Sequence, residues 1–307
     1  MSGEVTTQPR NLPLLVTESS TKGKTYVVTG ANTGLGFEAA KYLVRLGAKQ
    51  VILAVRSTPS GEAAKQKIEE ATGMTEVAHV WALDLSSYDS VKAFAKRAST
   101  ELCRLDAVIE NAAVATPAQK LAEGHLIGIT VNVLSTFLLA VLLLPKLKES
   151  AEKYGILPHL SIVTSGAGWD AREVWEQIKE DPLVRTNMLP VEQLIVTYPL
   201  SKLMDIFAVR ELAAHLPLEQ GKVVINAVCP ELYGRTAEDG SRTLLAGIIL
   251  GKGSHGAFTS SCEIRNDKIH DWVKTEETKK WQKHLWDIIV KELEAAEPGS
   301  VRKALQK

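Results

Sequence analysis

The stretch Lys24-Thr25-Tyr26-Val27-Val28-Thr29-Gly30-Ala31-Asn32-Thr33-Gly34-Leu35-Gly36 constrains the fold more than any other part of the chain. A β-branched apolar run that ends in glycines and passes directly into helical periodicity, here through Leu46, reads as the strand, turn and helix of a dinucleotide-binding βαβ unit. Each glycine has a mechanical reason. Gly30 turns the chain tightly off the strand, Gly34 lets the backbone approach a pyrophosphate closely, and Gly36 lets the helix pack on the sheet. The first helical turn then points its unsatisfied N–H groups at the phosphates, with Asn32, Thr33, Gly34 and Leu35 lining that approach.

Strand and helix patterns alternate along the rest of the chain. Apolar runs at 50–55, 77–83, 105–109, 160–163, 222–228 and 256–259 read as strands; 61–72, 86–97, 124–148, 197–216, 238–250 and 275–296 read as helices. This order predicts an α/β fold: a single-domain, doubly wound parallel sheet of the Rossmann type with helices on both faces. With 307 residues the chain is long enough for one large domain, placed at 24–297. Residues 1–23, polar with Pro9 and Pro13, are expected to be a loosely structured extension, and 298–307 a C-terminal tail. Between 170 and 190 lies a polar, tryptophan-containing insertion with its own helical piece, placed to line a substrate mouth, in which Trp169 and Trp175 serve equally well as small core anchors.

Acidic and basic residues number 36 each, so bulk charge points to neither a nucleic-acid nor a membrane-surface partner. Cys103, Cys229 and Cys262 are too few and too dispersed for a disulfide framework or a zinc site, and no metal is expected. They read as reduced thiols in a reducing, cytoplasmic compartment. No basic-then-apolar leader opens the sequence, and the most apolar stretch, Leu134 to Leu144, is too short and interrupted to span a bilayer. The apolar segment Phe137 to Leu147 is core, with one stripe to spare for the interface of a homo-oligomer.

Residue chemistry narrows the cofactor. The second strand ends at Arg56, where an acid would bind a ribose 2′-OH; an Arg there accommodates a 2′-phosphate and favours NADP(H), with Ser57 beside it. Asp84, taken alone, reads as a helix N-cap. Tyr198 and Lys202 lie four apart on a helix and share a face. A phenol, with an ordinary pKa near 10, needs such a cation to become phenolate at neutral pH. Pro199 is tolerable if the helix begins right there.

The looser glycine spacing T-G-x-x-x-G-x-G, then Asn132 in Val-Asn-Val-Leu-Ser-Thr-Phe, Ser165 at a strand end, and Tyr198-Pro199-Leu200-Ser201-Lys202, resembles the short-chain dehydrogenase/reductase family from about Lys24 to the last helix. The wording of 51–56, 83–94 and 198–212 is most similar to fungal members near the retinol dehydrogenase branch. The resemblance implies a catalytic tetrad of Asn132, Ser165, Tyr198 and Lys202. In it Tyr198 donates a proton to a carbonyl oxygen, Ser165 hydrogen-bonds that oxygen, Asn132 holds a relaying water, and Lys202 holds the nicotinamide ribose. It also implies that Asp84-Leu85 meets the adenine, and that Asn111, in Glu-Asn-Ala-Ala where the family has Asn-Asn-Ala-Gly, lies beside the cofactor; Ala113 adds a methyl there. The expected activity is carbonyl–alcohol interconversion on a small or medium-sized organic molecule, possible in fungal secondary metabolism, with a cofactor-binding pseudoenzyme or biosynthetic cyclase as the alternative. One departure bears on this choice. The family follows its sixth strand with Pro-Gly and a substantial flap, whereas here Cys229-Pro230-Glu231 runs through Leu232, Tyr233, Gly234, Arg235 and Thr236 almost directly into a helix. The expected result is an open, wet pocket with Glu231 near the nicotinamide amide.

Overall fold

The computed structural model describes residues 9–231 and 235–306. The strands of its main sheet are β1 (Thr25–Thr29), β2 (Gln50–Val55), β3 (Ala78–Ala82), β4 (Ala107–Glu110), β5 (His159–Val163), β6 (Val224–Cys229), β7 (Phe258–Ser260) and β8 (Glu263–Ile264). They form one sheet in the order β8-β7-β6-β5-β4-β1-β2-β3, parallel except where β8 returns antiparallel to β7. β1, β2, β5 and β6 are buried along almost their whole length because helices cover both faces of a parallel sheet. The order reverses between β1 and β4, and the crevice at the carboxyl ends of strands around such a reversal is where open α/β sheets bind ligands.

The helices are α1 (Gly34–Arg45), α2 (Thr58–Thr72), α3 (Tyr88–Glu101), α4 (Ile127–Tyr154), α5 (Thr197–His215), α6 (Ala237–Gly247), α7 (Glu276–Ala296) and α8 (Ser300–Leu305). α1 packs on α6 and on α2 over one face of the sheet; α3 and α5 pack with α4 over the other, and α7 lies outside α5. Two apolar cores result, one per face, the larger built around α4 and α5.

α4 is long and apolar enough to cross a membrane by composition, but 94% of its apolar window is buried inside the protein, so it is a core helix. No stripe is left on it for a subunit interface, contrary to expectation. α8 covers it: Val301 and Ala304 are buried, and Lys148 Nζ donates to the carbonyls of Ala304 (2.7 Å) and Gln306 (2.8 Å). Residues 298–306 are therefore part of the domain rather than a tail. The carboxylate of Glu294 ties α8 down by accepting from the backbone N–H groups of Gly299, Val301 and Arg302.

The loosely structured extension is likewise corrected for residues 9–23. Leu12 and Val16 are buried, the Leu12 N–H donates to Asp239 Oδ1 (2.6 Å), and Arg242 donates back to the Leu12 carbonyl (2.5 Å). Two apolar side chains and two prolines' worth of reduced chain freedom do not by themselves announce this; the charged partners on α6 complete it. The 170–190 insertion also contributes to the core. Gly166–Ala171 is a 3₁₀ segment, Arg172–Ile178 and Pro182–Asn187 are short helices, and Trp175 is fully buried edge-on to Phe207 at 5.3 Å. Trp169 stacks on His270 at 5.2 Å, so both tryptophans are packing anchors.

Candidate active site

The turn after β1 carries the geometry its glycines predict. Gly30 and Gly34 have φ of +66° and +60°, in the left-handed region that only glycine enters freely. At Gly36 an added Cβ would meet Asn111 Nδ2 at 2.6 Å and the Gly30 carbonyl oxygen at 2.7 Å, so helix and turn touch backbone to backbone. Gly34 is different: nothing lies within 4 Å of where its Cβ would be, leaving a space beside the start of α1. Thr33, the N-cap, makes no side-chain capping bond, so the first N–H groups of a 12-residue helix face that space without a side-chain acceptor. Asn111 braces the turn from β4: its backbone N–H and that of Ala112 donate to Thr29 Oγ1 at 2.9 Å, and its Nδ2 donates to the Thr29 carbonyl at 3.0 Å.

Arg56 ends β2 exposed, and among the described residues it makes no ion pair or side-chain hydrogen bond. Asp84 follows β3. Its Oδ1 accepts from the backbone and hydroxyl of Ser86, while the N-cap of α3 is Ser87, so the N-cap reading of Asp84 is wrong. Leu85 is buried beside it. These fittings suit a dinucleotide: an uncapped helix start with open space for phosphates, and a free guanidinium at the next strand end.

At the other side of the crevice the four tetrad candidates are brought together. α5 begins at Thr197 after a 3₁₀ segment, so Pro199 lies in its first turn, where its missing N–H costs no helical bond. Ser165, just past β5, is close enough to Tyr198 to pull the pKa of its hydroxyl down, and Lys202 Nζ stands 5.9 Å from the centre of the Tyr198 ring. Burial raises the Tyr198 phenol above its ordinary pKa; Lys202 and Ser165 pull it down, whereas Asp205 and Cys229 push it up. Cys229 closes this side, accepting from the Gly166 N–H at 3.2 Å, and burial pushes its thiol up to about 11.

Asn132 occupies a π-helical turn, Thr130–Ser135, inside α4. Such widened turns project a side chain off the regular helical register and recur at functional sites. Here the side chain reaches across to accept from Val114 N–H (2.8 Å) and to donate to the Val114 carbonyl and to Ser201 Oγ, both at 2.9 Å. Both amide hydrogens are thus committed to protein groups, so the side chain acts as a brace. Ser201 Oγ in turn donates to the Tyr198 carbonyl at 2.8 Å, linking Asn132 to the turn that carries the tyrosine.

Sequence reasoning missed three participants. Ser201 had its signal in its place between Tyr198 and Lys202. Gly168 had none: an added Cβ would stand 2.8 Å from the Leu203 nitrogen, so the segment after Ser165 packs directly on the backbone of α5. Asp205 is the third. Lys202 Nζ donates to Asp205 Oδ2 at 2.8 Å and to the Val163 carbonyl at 2.9 Å, and the ammonium is buried.

The short connection after β6 holds as the sequence suggested, with α6 starting at Ala237; Leu232, Tyr233 and Gly234 lie outside the described residues. Glu231 has φ of +48° and a carboxylate engaged by Ser261 Oγ (2.9 Å), Arg235 (3.2 Å) and Lys268. Burial would raise its pKa, but hydrogen bonds from Lys268, Ser260 and Ser261 outweigh it and the net shift is downward.

A family model described as short chain dehydrogenase matches residues 24–174. Over 90% of this chain and 92% of its own length, the short chain dehydrogenase/reductase dmxR8 of Cryptosporiopsis sp. is 39% identical. The short-chain dehydrogenase anuD of Penicillium roqueforti is 33% identical over 91% of this chain and 79% of its own. Among solved structures, an uncharacterized protein of Mycobacterium paratuberculosis superposes with a TM-score of 0.64 at 26% identity, covering 90% of this chain and 97% of the other. The chain belongs to the short-chain dehydrogenase/reductase family, and the curated relatives named here are fungal.

Proposed function

We propose that this protein is an NADP(H)-dependent oxidoreductase that interconverts a carbonyl and an alcohol on a small or medium-sized organic substrate of fungal secondary metabolism. The observation that carries this reading is the convergence of Tyr198, Ser165 and Lys202 at the carboxyl end of the sheet, beside the uncapped start of α1. The cofactor supplies hydride to the carbonyl carbon. Tyr198 gives its phenolic proton to the carbonyl oxygen, Ser165 hydrogen-bonds that oxygen, and Lys202 stabilises the phenolate left behind. Asn132 acts through Ser201 by holding the Tyr198 turn. Gly30, Gly34, Leu35 and Gly36 cradle the pyrophosphate with Asn32 and Thr33, Arg56 pairs with the 2′-phosphate, Asp84 and Leu85 bound the adenine, and Asn111 keeps the turn in place.

Val184, Met188, Val191 and Ile195 are exposed on the segment that leads into Tyr198, which supports an apolar substrate entering from that side. Three free cysteines support a reducing, cytoplasmic setting. The short connection after Pro230 favours, as a second reading, a cofactor-binding protein with weak turnover. NADPH oxidation followed across a panel of ketones, aldehydes and quinones, with Tyr198→Phe as control, separates the two. Turnover that disappears in the variant supports the oxidoreductase; tight NADPH binding without turnover on any of these classes supports the second reading.

A further inference from the structure

Two carboxyl groups lie buried behind Lys202, and the proposed proton donation makes no use of them. Glu110 is the last residue of β4 and is 3% exposed; neither of its side-chain oxygens has a hydrogen-bond partner among the described residues. Asp205, on α5 one turn beyond Lys202, is fully buried, with Oδ2 taken by the ammonium and Oδ1 without a partner. Glu110 lies in register with Ile162 of β5, one residue before Val163, whose carbonyl accepts from Lys202 Nζ at 2.9 Å, so the end of β4 sits beside the Lys202–Asp205 pair, and the charge of Asp205 raises Glu110. The other titratable groups facing this pocket are Lys202, Tyr198 on the same helix, and Cys229 from the end of β6.

Counting charge decides the state. Two ionised carboxylates against one ammonium would leave a net negative charge in a water-poor interior together with three unpaired oxygens, and a buried unpaired charge neutralises itself by taking a proton instead. One proton on the pair removes the excess charge. Two protons would strip Lys202 of its counter-ion. We propose that Glu110 and Asp205 form a carboxyl pair that holds one proton between them at neutral pH, and that these two positioning residues thereby set the charge that Lys202 presents to Tyr198. In the one-proton state the ammonium is balanced and held between Asp205 and Val163. Loss of that proton would bind the ammonium more strongly and raise the tyrosine further; gain of a second would free it. Burial, acting against the pull of Lys202, raises Asp205 to about 6, and burial with the charge of Asp205 raises Glu110 well above its ordinary value, in the same sense.

This inference rests on the reading of Tyr198 and Lys202 as the catalytic pair, but its test reads protonation directly and needs no turnover. Difference infrared spectroscopy at pH 7, wild type minus variant, looks for the carbonyl stretch of a protonated carboxylic acid in the full-length protein. The expected result is one such band in the wild type, abolished by Glu110→Gln and equally by Asp205→Asn, because in either variant a single carboxylate balances a single ammonium. A band that survives Asp205→Asn means that Glu110 is protonated merely by its own burial, which overturns the pair. Absence of the band from the wild type overturns it without any variant having to fold. In variants whose far-ultraviolet circular dichroism matches wild type, NADPH-dependent reduction provides the second readout: Glu110→Gln should move the pH limb of kcat by about one pH unit. A limb that does not move means that the pair is not felt by Tyr198 and overturns the positioning role.

Discussion

Truncating Asn132 to Ala tests whether this residue braces the site. Asn132 is 1% exposed, and its side chain makes three hydrogen bonds, two to the Val114 backbone and one to Ser201 Oγ. The variant leaves the half-buried Val114 N–H and carbonyl and an acceptor position on the buried Ser201 without partners. Each such loss costs about 1–3 kcal/mol, but the vacated space admits a water that restores part of it, so the expected net destabilisation is about 2–4 kcal/mol. For a domain of this size that corresponds to a fall in Tm of roughly 3–6 °C, measurable by circular dichroism. Because Ser201 also holds the Tyr198 carbonyl, kcat should fall by at least about tenfold while NADPH affinity, governed by the other end of the crevice, changes little. A Tm within about 1 °C of wild type together with an unchanged kcat would refute the bracing argument.

Tyr198→Phe removes only the proton donor, so turnover should fall on the order of 10² or more with NADPH binding nearly intact; retained activity in a steady-state assay would remove the tyrosine from its assigned role. Arg56→Asp should shift preference from NADPH toward NADH by roughly 1.5–3 kcal/mol, read as the ratio of the two kcat/KM values, and an unmoved ratio would show that Arg56 does not meet the 2′-phosphate. His159, buried at the start of β5, is lowered to about 4 by burial. It is therefore neutral in the folded protein while the unfolded chain takes up a proton below about 6.5, so the stability it contributes is complete above that pH and is lost as pH falls toward 4. The loss approaches about 3 kcal/mol. His159→Leu should flatten the wild-type difference in urea midpoint between pH 7 and pH 4.5, and parallel curves for the two proteins would count against it. Deleting residues 299–307 should uncover the apolar side of α4 and produce self-association visible by light scattering; a monodisperse truncated protein would mean that α8 is not the cover of that face.

The parts of this protein that were legible in the sequence are those written in short-range periodicity. β1, its glycine turn and α1 are contiguous, and each glycine's requirement, a positive φ or a missing Cβ, is local to the turn. Tyr198 and Lys202 share a face because helix geometry alone puts them there, and the apolar runs of β2, β5 and β6 declare strands buried on both sides. Other features depend on which distant segments close on one another, and periodicity carries no record of that. The partner of Asn132 is Val114 on a loop; the partner of Lys202 is an aspartate on its own helix, whose charge in turn raises Glu110 at the end of β4. Asp84 looked like a cap, but Ser87 is the residue whose backbone is extended at the helix start. Residues 9–23 and 298–306 read as termini because they are short and polar, and only their partners, an accepting Asp239 on α6 and a donating Lys148 on α4, give them a place. Local sequence determined the elements and the face of one helix that Tyr198 and Lys202 share; tertiary closure decided their electrostatic surroundings, because desolvation and charge pairing exist only after remote chain segments have excluded water together.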